Sequence, residues 1–543
     1  MKAAMGLTLS GMLREVARAH GGRLAIRCGD TAWSYAEFDD IVDRLARGLK
    51  AGGIKRGDRV AAMARNSHGY VALRFALSRI GAVFVPVNFM LTAQDVGYIL
   101  DHSGAAALFL DGGSMEVGRE AASHLISATY ALPSEDGSVP FHADVASWQS
   151  LLLEGDRLNE AAGAEDLLQI IYTSGTEARP KGAMLTHQAV LAEYESCIEG
   201  CEWSSDTIAL HALPLFHCAQ LDAMLGPGLR VGATNIITAD PGPSNIIPMI
   251  ERFGVTSFFA PPTVWIALLR SPLFDRHDLS SLQRAYYGAS TMPVEIIEEL
   301  QERLPDLRLW NLYGQTEIAP VATILRPEHH EAHPGSAGRP VLNVQTRVVD
   351  DDMNDVPPGT TGEVVHRSPQ LFTGYWRDPE RTVQAFQGGW FHSGDLATID
   401  ADGFITIVDR KKDMINSGGE NVSSREVEEA IYTHPGVAEA AVIGLPDERW
   451  IEAVTAIVVL RDGAICNEQD ILDHVAARLA GFKRPKTVRF VEALPKTASG
   501  KILKRDLRAA ILAQSQEVAL SQESVIDEAQ DLSFPDRAAV VRR

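Results

Sequence analysis

Leu167-Leu-Gln-Ile-Ile171, running directly into Tyr172-Thr-Ser-Gly-Thr-Glu-Ala-Arg-Pro-Lys-Gly182, is the stretch from which the rest of this chain can be read. The apolar run predicts a buried strand, and a helical pattern begins at Thr186. Between them lie hydroxyls, small residues and Lys181, a composition suited to holding phosphate. Small residues let backbone amides approach an anion, hydroxyls add donors, and the lysine adds a point charge. The order Gly-x4-Gly-Lys-Ser/Thr of a Walker A loop is absent. The same composition also suits an ordinary surface turn, so the reading depends on what accompanies it.

Outward from this loop, residues 1–160 alternate strand-like and helix-like segments. Arg59-Val-Ala-Ala-Met reads as a strand, Tyr70 to Ile80 as a helix and Gly81-Ala-Val-Phe-Val-Pro-Val as a buried strand. The pattern repeats over 183–330, with strands expected near Ile208, Thr234 and Thr256. Such alternation predicts α/β layering on largely parallel sheets. From about 340 the texture changes to short β-rich runs at Thr346, Gly362 and Gly403. Their spacing predicts a small, mostly antiparallel, barrel-like subdomain. The charged run Arg410-Lys411-Lys412-Asp413 precedes a final α/β unit. The expected organisation is a large multi-layer N-terminal domain with mixed and parallel sheets over 1–409, its β-rich part spanning about 340–409. A hinge at 410–412, a smaller mobile α+β domain at 413–510 and a polar tail at 511–543 follow.

At 543 residues, several domains are expected. The net charge of −21 argues against a nucleic-acid partner, while leaving room for small phosphorylated ligands that need only local positive charge. The five scattered cysteines include Cys197 and Cys201 at helical spacing. No His/Cys pair matches them at zinc-finger spacing, so buried free thiols in a reducing cytoplasm are expected. No apolar run of about 18 residues predicts a membrane span. Lys504 and Arg505 read as a solvated face.

Five further stretches join the opening loop: Asn311-Leu-Tyr-Gly-Gln-Thr-Glu317, Trp390-Phe-His-Ser-Gly-Asp-Leu396, Asp409-Arg-Lys-Lys-Asp413, Ser417-Gly-Gly-Glu-Asn421 and Leu494-Pro-Lys-Thr-Ala-Ser-Gly-Lys501. In this order and spacing, over roughly residues 10–508, the chain resembles the adenylate-forming superfamily, and most of all bacterial fatty-acyl-CoA synthetases. The resemblance implies two half-reactions. A carboxylate attacks the α-phosphate of MgATP to give acyl-AMP and pyrophosphate; the thiol of coenzyme A then displaces AMP. A medium- to long-chain fatty acid is the acid it favours. Aryl or steroid-derived acids, or an amine acceptor, are the alternatives, and a homodimer is compatible with it.

The same resemblance implies roles residue by residue. Thr173, Ser174, Gly175, Thr176 and Lys181 would cradle the β- and γ-phosphates, with Glu177-Ala178 departing from the family's Thr-Gly. Gly288, Ala289 and Ser290 would form the adenine side, with Tyr313 lying on the ring beside Gly314 and Gln315. Thr316 would bond the α-phosphate, and Glu317, with Thr176, would hold Mg²⁺. Asp395 and Arg410 would bind ribose, Lys412 would be the pivot, and Lys501 would bridge the acyl carboxylate and α-phosphate. Ser417, Gly418 and Gly419 would admit the pantetheine of CoA. His217 would stand between the acid and the thiol, with Phe216, Leu221, Pro261, Val264, Trp265 and Tyr287 lining the acyl pocket. Tyr287, where the family often has glycine, would narrow or reroute the channel.

Overall fold

The computed structural model describes residues 8–126, 128–159, 162–173, 179–288, 292–447, 449–496 and 502–514. They divide into two compact units, the first running to Ile407 and the second beginning at Val408.

The first unit carries two large sheets. One is seven-stranded, in the order Ala146–Ser147, Ala128–Ala131, Ala105–Leu110, Arg59–Met63, Val83–Val87, Leu167–Thr173, Lys181–Thr186. Its strands are parallel except for the last pair, which is antiparallel. The sequence reading missed the strand Lys181–Thr186 and took the segment as part of the run into the helix. The phosphate-loop stretch is therefore a hairpin, and the helix His187–Gly200, capped by the Thr186 side chain, starts only after its return strand. Small residues and one methionine made that strand's alternation hard to see.

The second large sheet is nine-stranded: Arg339–Pro340, Val321–Leu325, Arg308–Gly314, Arg284–Gly288, Ser257–Phe259, Ile208–His211, Thr234–Ile237, Leu24–Cys28, Thr31–Ser34. It is parallel at its centre and antiparallel at both ends. Alternation along its strands splits the aromatic residues between two cores. Phe258 and Tyr287 pack on one face with Trp265 and Leu268, and Phe259 and Tyr286 on the other with Trp203 and Trp310.

The expected barrel-like subdomain is an open four-stranded sheet: Gln345–Val349, Gly362–Arg367, Phe391–Ile399, Ile405–Arg410. Among the described residues it does not close. Ile405 pairs with Gly338 instead, which occupies the edge that closure onto Gln345–Val349 would need.

In the second unit, Val437–Asp447 and Ile451–Leu460 form a long antiparallel pair, with Thr487–Phe490 added in parallel. The helices Ser424–Tyr432 and Glu468–Ala476 contribute Val427, Ile431, Ile471 and Val475 to its core. Residues 504–514 are helical. Lys504, expected on a solvated face, instead pairs with Glu428 at 2.7 Å and donates to Ser424 Oγ, so part of that face is an internal contact.

Candidate functional site

Ser174, Gly175, Thr176, Glu177 and Ala178 of the loop lie outside the described residues, as do Ala289, Ser290 and Lys501. What surrounds the loop is well defined. Thr173 and Lys181 face each other across the hairpin. The segment Thr373–Trp376 adds itself to the return strand: Thr373 N donates to Met184 O, Met184 N to Gly374 O and Trp376 N to Gly182 O, at 2.8–3.0 Å. This pairing puts Tyr375 beside Lys181, whose ammonium lies 5.4 Å from the ring centroid. The Tyr375 hydroxyl donates to Glu317 Oε1 at 2.9 Å. Arg179 has its guanidinium over the Tyr98 ring at 5.2 Å.

Glu317 is brought to this place by a tightly held turn. The strand Arg308–Gly314 ends at Gly314, where a Cβ would stand 1.9 Å from the Pro320 carbonyl oxygen. Phe372 N donates to Glu317 O at 2.8 Å. The Gln370 amide nitrogen donates to Val321 O at 3.0 Å, Ile318 O at 3.3 Å and Glu193 Oε2 at 2.6 Å. Glu193 Oε1 accepts from Val321 N at 3.1 Å, and burial pushes this carboxyl up to about 8. Thr316 Oγ1 lies 3.4 Å from the buried Cys218 thiol. Gln315 Nε2 is buried without a partner among the described residues, an orphan donor next to Thr316. The Tyr313 hydroxyl donates to Asp395 Oδ2 at 2.7 Å, so the two residues expected around one nucleoside do meet.

Around the acid-side residues, His217 begins a short helical turn and accepts from Ala219 N at 3.2 Å. The residues Leu221–Leu225 form a π-turn, a conformation frequent at functional sites. Its Asp222 is buried and pairs with Arg74, while Gln169 of the strand leading into the phosphate loop donates to Asp222 Oδ2 at 2.7 Å. A buried polar group costs free energy unless bonded, so this network ties the His217 turn to the phosphate-loop strand. Phe216 meets Phe89 edge-to-face at 5.5 Å. Leu221, Pro261 and Trp265 are buried and Val264 half-buried, the Trp265 indole donating to Tyr286 O at 3.2 Å. Tyr287 is 3% exposed, and its hydroxyl sits 3.1 Å from His330 Nε2, while His330 Nδ1 faces Arg326 O at 3.0 Å. With Nδ1–H donating to that carbonyl, Nε2 accepts from the phenol. Gly288 pairs with Leu312, where a Cβ would meet the Leu312 carbonyl oxygen at 2.4 Å, so close strand approach alone requires glycine there.

In the second unit, Asp409 bonds Arg410 N at 2.7 Å and Ser424 N at 2.6 Å, fixing the start of the charged run that includes Lys412. Ser417 is buried, with its hydroxyl lacking a partner among the described residues. Gly418 and Gly419 have φ of +67° and +90°, a region that disfavours side chains. A Cβ on Gly418 would come within 3.3 Å of the Trp450 ring, which also receives Lys486 at 4.6 Å and Arg449 at 4.8 Å from its centroid. Trp450 and Lys486, Cys218, Tyr375, Gln370 and Glu193 were missed from sequence. Only the Gly-Tyr-Trp run after Thr373 offered a local hint; the others are brought in by distant pairing. Cys28, Cys197, Cys201 and Cys218 are buried free thiols as expected, whereas Cys466 is half-exposed. Among the described residues no helix is long and apolar enough to cross a membrane.

Residues 13–376 match the family described as AMP-binding enzyme, and residues 426–501 match its C-terminal domain. The chain is 39% identical over 496 residues to a feruloyl-CoA synthase from Amycolatopsis sp, covering 89% of this chain and 95% of that one. It is 34% identical over 493 residues to a long-chain-fatty-acid–CoA ligase of Escherichia coli O6:H1, covering 86% and 87%. The structure of ATP-bound MatB from Rhodopseudomonas palustris superposes with a TM-score of 0.84 at 30% identity, covering 93% of this chain and 99% of that one.

Proposed function

This chain belongs to the AMP-binding enzyme family and is an AMP-forming acid–thiol ligase, and we propose that its acid is a compact, ring-bearing carboxylic acid. The observation that carries this reading is Tyr287. It is pinned by His330 and packed with Trp265 and Leu268, at a position where the family often has glycine. If the acyl channel reaches this position as the family resemblance implies, a rigid aromatic there leaves less room for a chain and favours a ring. The similarity to a feruloyl-CoA synthase supports the same reading. The medium- to long-chain fatty acid is the second reading, supported by the similarity to the Escherichia coli ligase.

A carboxylate is a poor electrophile toward a thiol. Attack of its oxygen on the α-phosphorus of ATP expels pyrophosphate and converts that oxygen into part of an AMP leaving group; the thiol sulfur of CoA then attacks the acyl carbon and AMP departs. Because the first step joins two anions, screening and alignment decide its rate. Asp395 and Tyr313 hold the nucleoside, and Lys181 with Thr173 faces the β- and γ-phosphates. Thr316 orients the α-phosphate, and Gln315 Nε2 supplies one further donor. Lys501 is the cation assigned to the reacting carboxylate and α-phosphate. Glu317, together with Thr176, is the set assigned to a divalent cation. Its carboxylate fits that role, being 9% exposed and making no ion pair among the described residues. Such an ion, when bound, supplies neutralisation of phosphate charge. Ser417, Gly418 and Gly419 pass the pantetheine, Lys412 serves as the pivot, and His217 stands at the acid.

Pyrophosphate release measured over cinnamate-type, indole-type, steroid-derived, medium-chain and long-chain acids, with and without CoA, tests this reading. Ring-bearing acids are expected to give the highest kcat/KM. A maximum at a long unbranched chain would overturn the substrate class, and an amine outperforming CoA would overturn the acceptor.

A further inference from the structure

We propose that Tyr375 is a positioning residue for the ATP half of the site: its hydroxyl fixes the Glu317 carboxylate for a divalent cation while its ring carries the Lys181 ammonium. The inference rests on the assignment of Glu317 to that cation. Tyr375 belongs to neither the phosphate loop nor the Thr316–Glu317 turn, yet it touches both, and three features of the fold place it there.

The first is main-chain pairing. Ala183 and Tyr375 form an antiparallel bridge, flanked by the bonds from Met184 N to Gly374 O and from Trp376 N to Gly182 O. Tyr375 thereby shares a short ladder with the strand that starts at Lys181. The second is the turn beyond it. Tyr375 N donates to Thr382 Oγ1 at 2.9 Å, and Phe372 packs edge-on to the Tyr375 ring at 4.9 Å, which fixes the direction of the side chain. The third is that Phe372 N donates to Glu317 O, so the segment holding Tyr375 also grips the backbone of the residue whose side chain Tyr375 holds. Both ends of Glu317 are thus tied to one segment.

The chemistry follows from the donor. The Tyr375 phenol is a neutral O–H donor, and it reaches Glu317 Oε1 at 2.9 Å. With Oε1 engaged by a neutral donor, rotation of the carboxylate is restricted, which is what a hard cation requires of a ligand. The ring in turn offers its negative face to Lys181. Lys181 is therefore held near Glu317 without being neutralised by it, and remains available to an incoming triphosphate. A direct Lys181–Glu317 ion pair would consume both charges that the reading above assigns to ATP and its cation.

The test is a Mn²⁺ titration of the full-length protein by electron paramagnetic resonance, in the presence of an α,β-methylene ATP analogue that cannot transfer its adenylyl group. AMP binding in EDTA is measured by calorimetry alongside. Tyr375→Phe keeps the ring and its packing and removes only the hydroxyl. It is expected to weaken Mn²⁺ binding about tenfold, the scale of one lost hydrogen bond to a charged group, with AMP affinity unchanged. Glu317→Gln is expected to weaken Mn²⁺ binding at least as much. If Glu317→Gln weakens Mn²⁺ binding and Tyr375→Phe does not, Tyr375 has no positioning role. If Tyr375→Phe lowers Mn²⁺ and AMP affinity together, its role is structural only, and the proposal is overturned. If Glu317→Gln leaves Mn²⁺ binding intact, the assignment of Glu317 itself is wrong, and the Tyr375 proposal falls with it.

Discussion

At the residue scale, the reading turns on which charges meet the reacting groups and when. Lys501 is assigned to adenylation alone, because only that step brings a carboxylate and a phosphate together. Lys501→Ala is expected to abolish pyrophosphate release with acid and ATP, yet leave thioester formation from supplied acyl-AMP and CoA largely intact. Single-turnover assays of the two halves decide this, and equal loss in both would sink the assignment. The motif residues themselves were legible in sequence, since Tyr313, Glu317, Asp395 and Lys181 stand in recognisable runs. Their partners were not. Tyr375 reaches Glu317 from 58 positions away, and Gln370 reaches Glu193 from 177. Nothing local in the chain announces such a contact, because it is made by sheet pairing rather than by spacing.

At the level of elements, the turn from Gly314 to Val321 matters most. It reverses the chain between the last parallel strand of the nine-stranded sheet, Arg308–Gly314, and its antiparallel neighbour Val321–Leu325, and it presents Thr316 and Glu317. Gly314 has its Cα packed against the returning Pro320 backbone, with an added Cβ falling 1.9 Å from the carbonyl oxygen and 2.8 Å from Ala322 N. Backbone cannot yield as a flexible side chain can. Gly314→Ala is therefore expected to destabilise the first unit by about 1–3 kcal/mol, the usual cost of overpacking, and to reduce adenylation more than it reduces AMP affinity. Denaturant unfolding together with pyrophosphate release measures both. The hairpin of Leu167–Thr173 and Lys181–Thr186 carries the opposite lesson. Its first strand is apolar and was read correctly, but its return strand, Lys-Gly-Ala-Met-Leu-Thr, has too weak an alternation to declare itself. Only the ladder to Leu167–Thr173 and to Thr373–Trp376 makes it a strand.

For the whole molecule, burial of titratable groups sets a pH dependence. Desolvation lowers His68, His187 and His211 from 6.5 to about 4, and His366 to about 3. All four belong to the first unit. They are neutral when folded and take up protons on unfolding once the pH drops below 6.5. The unfolded state then binds more protons, so stability is full above about 6.5 and falls as pH is lowered toward 4. Glu193 acts in the opposite sense. Held protonated by burial up to about 8, it favours the fold most below 4.5 and loses that contribution as pH rises. Burial raises the Asp222 carboxyl in the same sense, and these two groups do not offset four histidines, so the melting temperature of the first unit is expected to decline between pH 6.5 and 4. Calorimetry at a series of pH values checks the slope, and a flat profile would contradict it. The sequence by itself determined the α/β class and the change of texture near 340, because these depend on local pattern and order along the chain. Tertiary structure alone decided that the phosphate-loop stretch is a hairpin, that the β-rich segment is an open sheet, and that Tyr375 and Gln370 support Glu317. Each of these rests on hydrogen bonds between segments far apart in the chain, whose free energy exists only once the sheets have assembled.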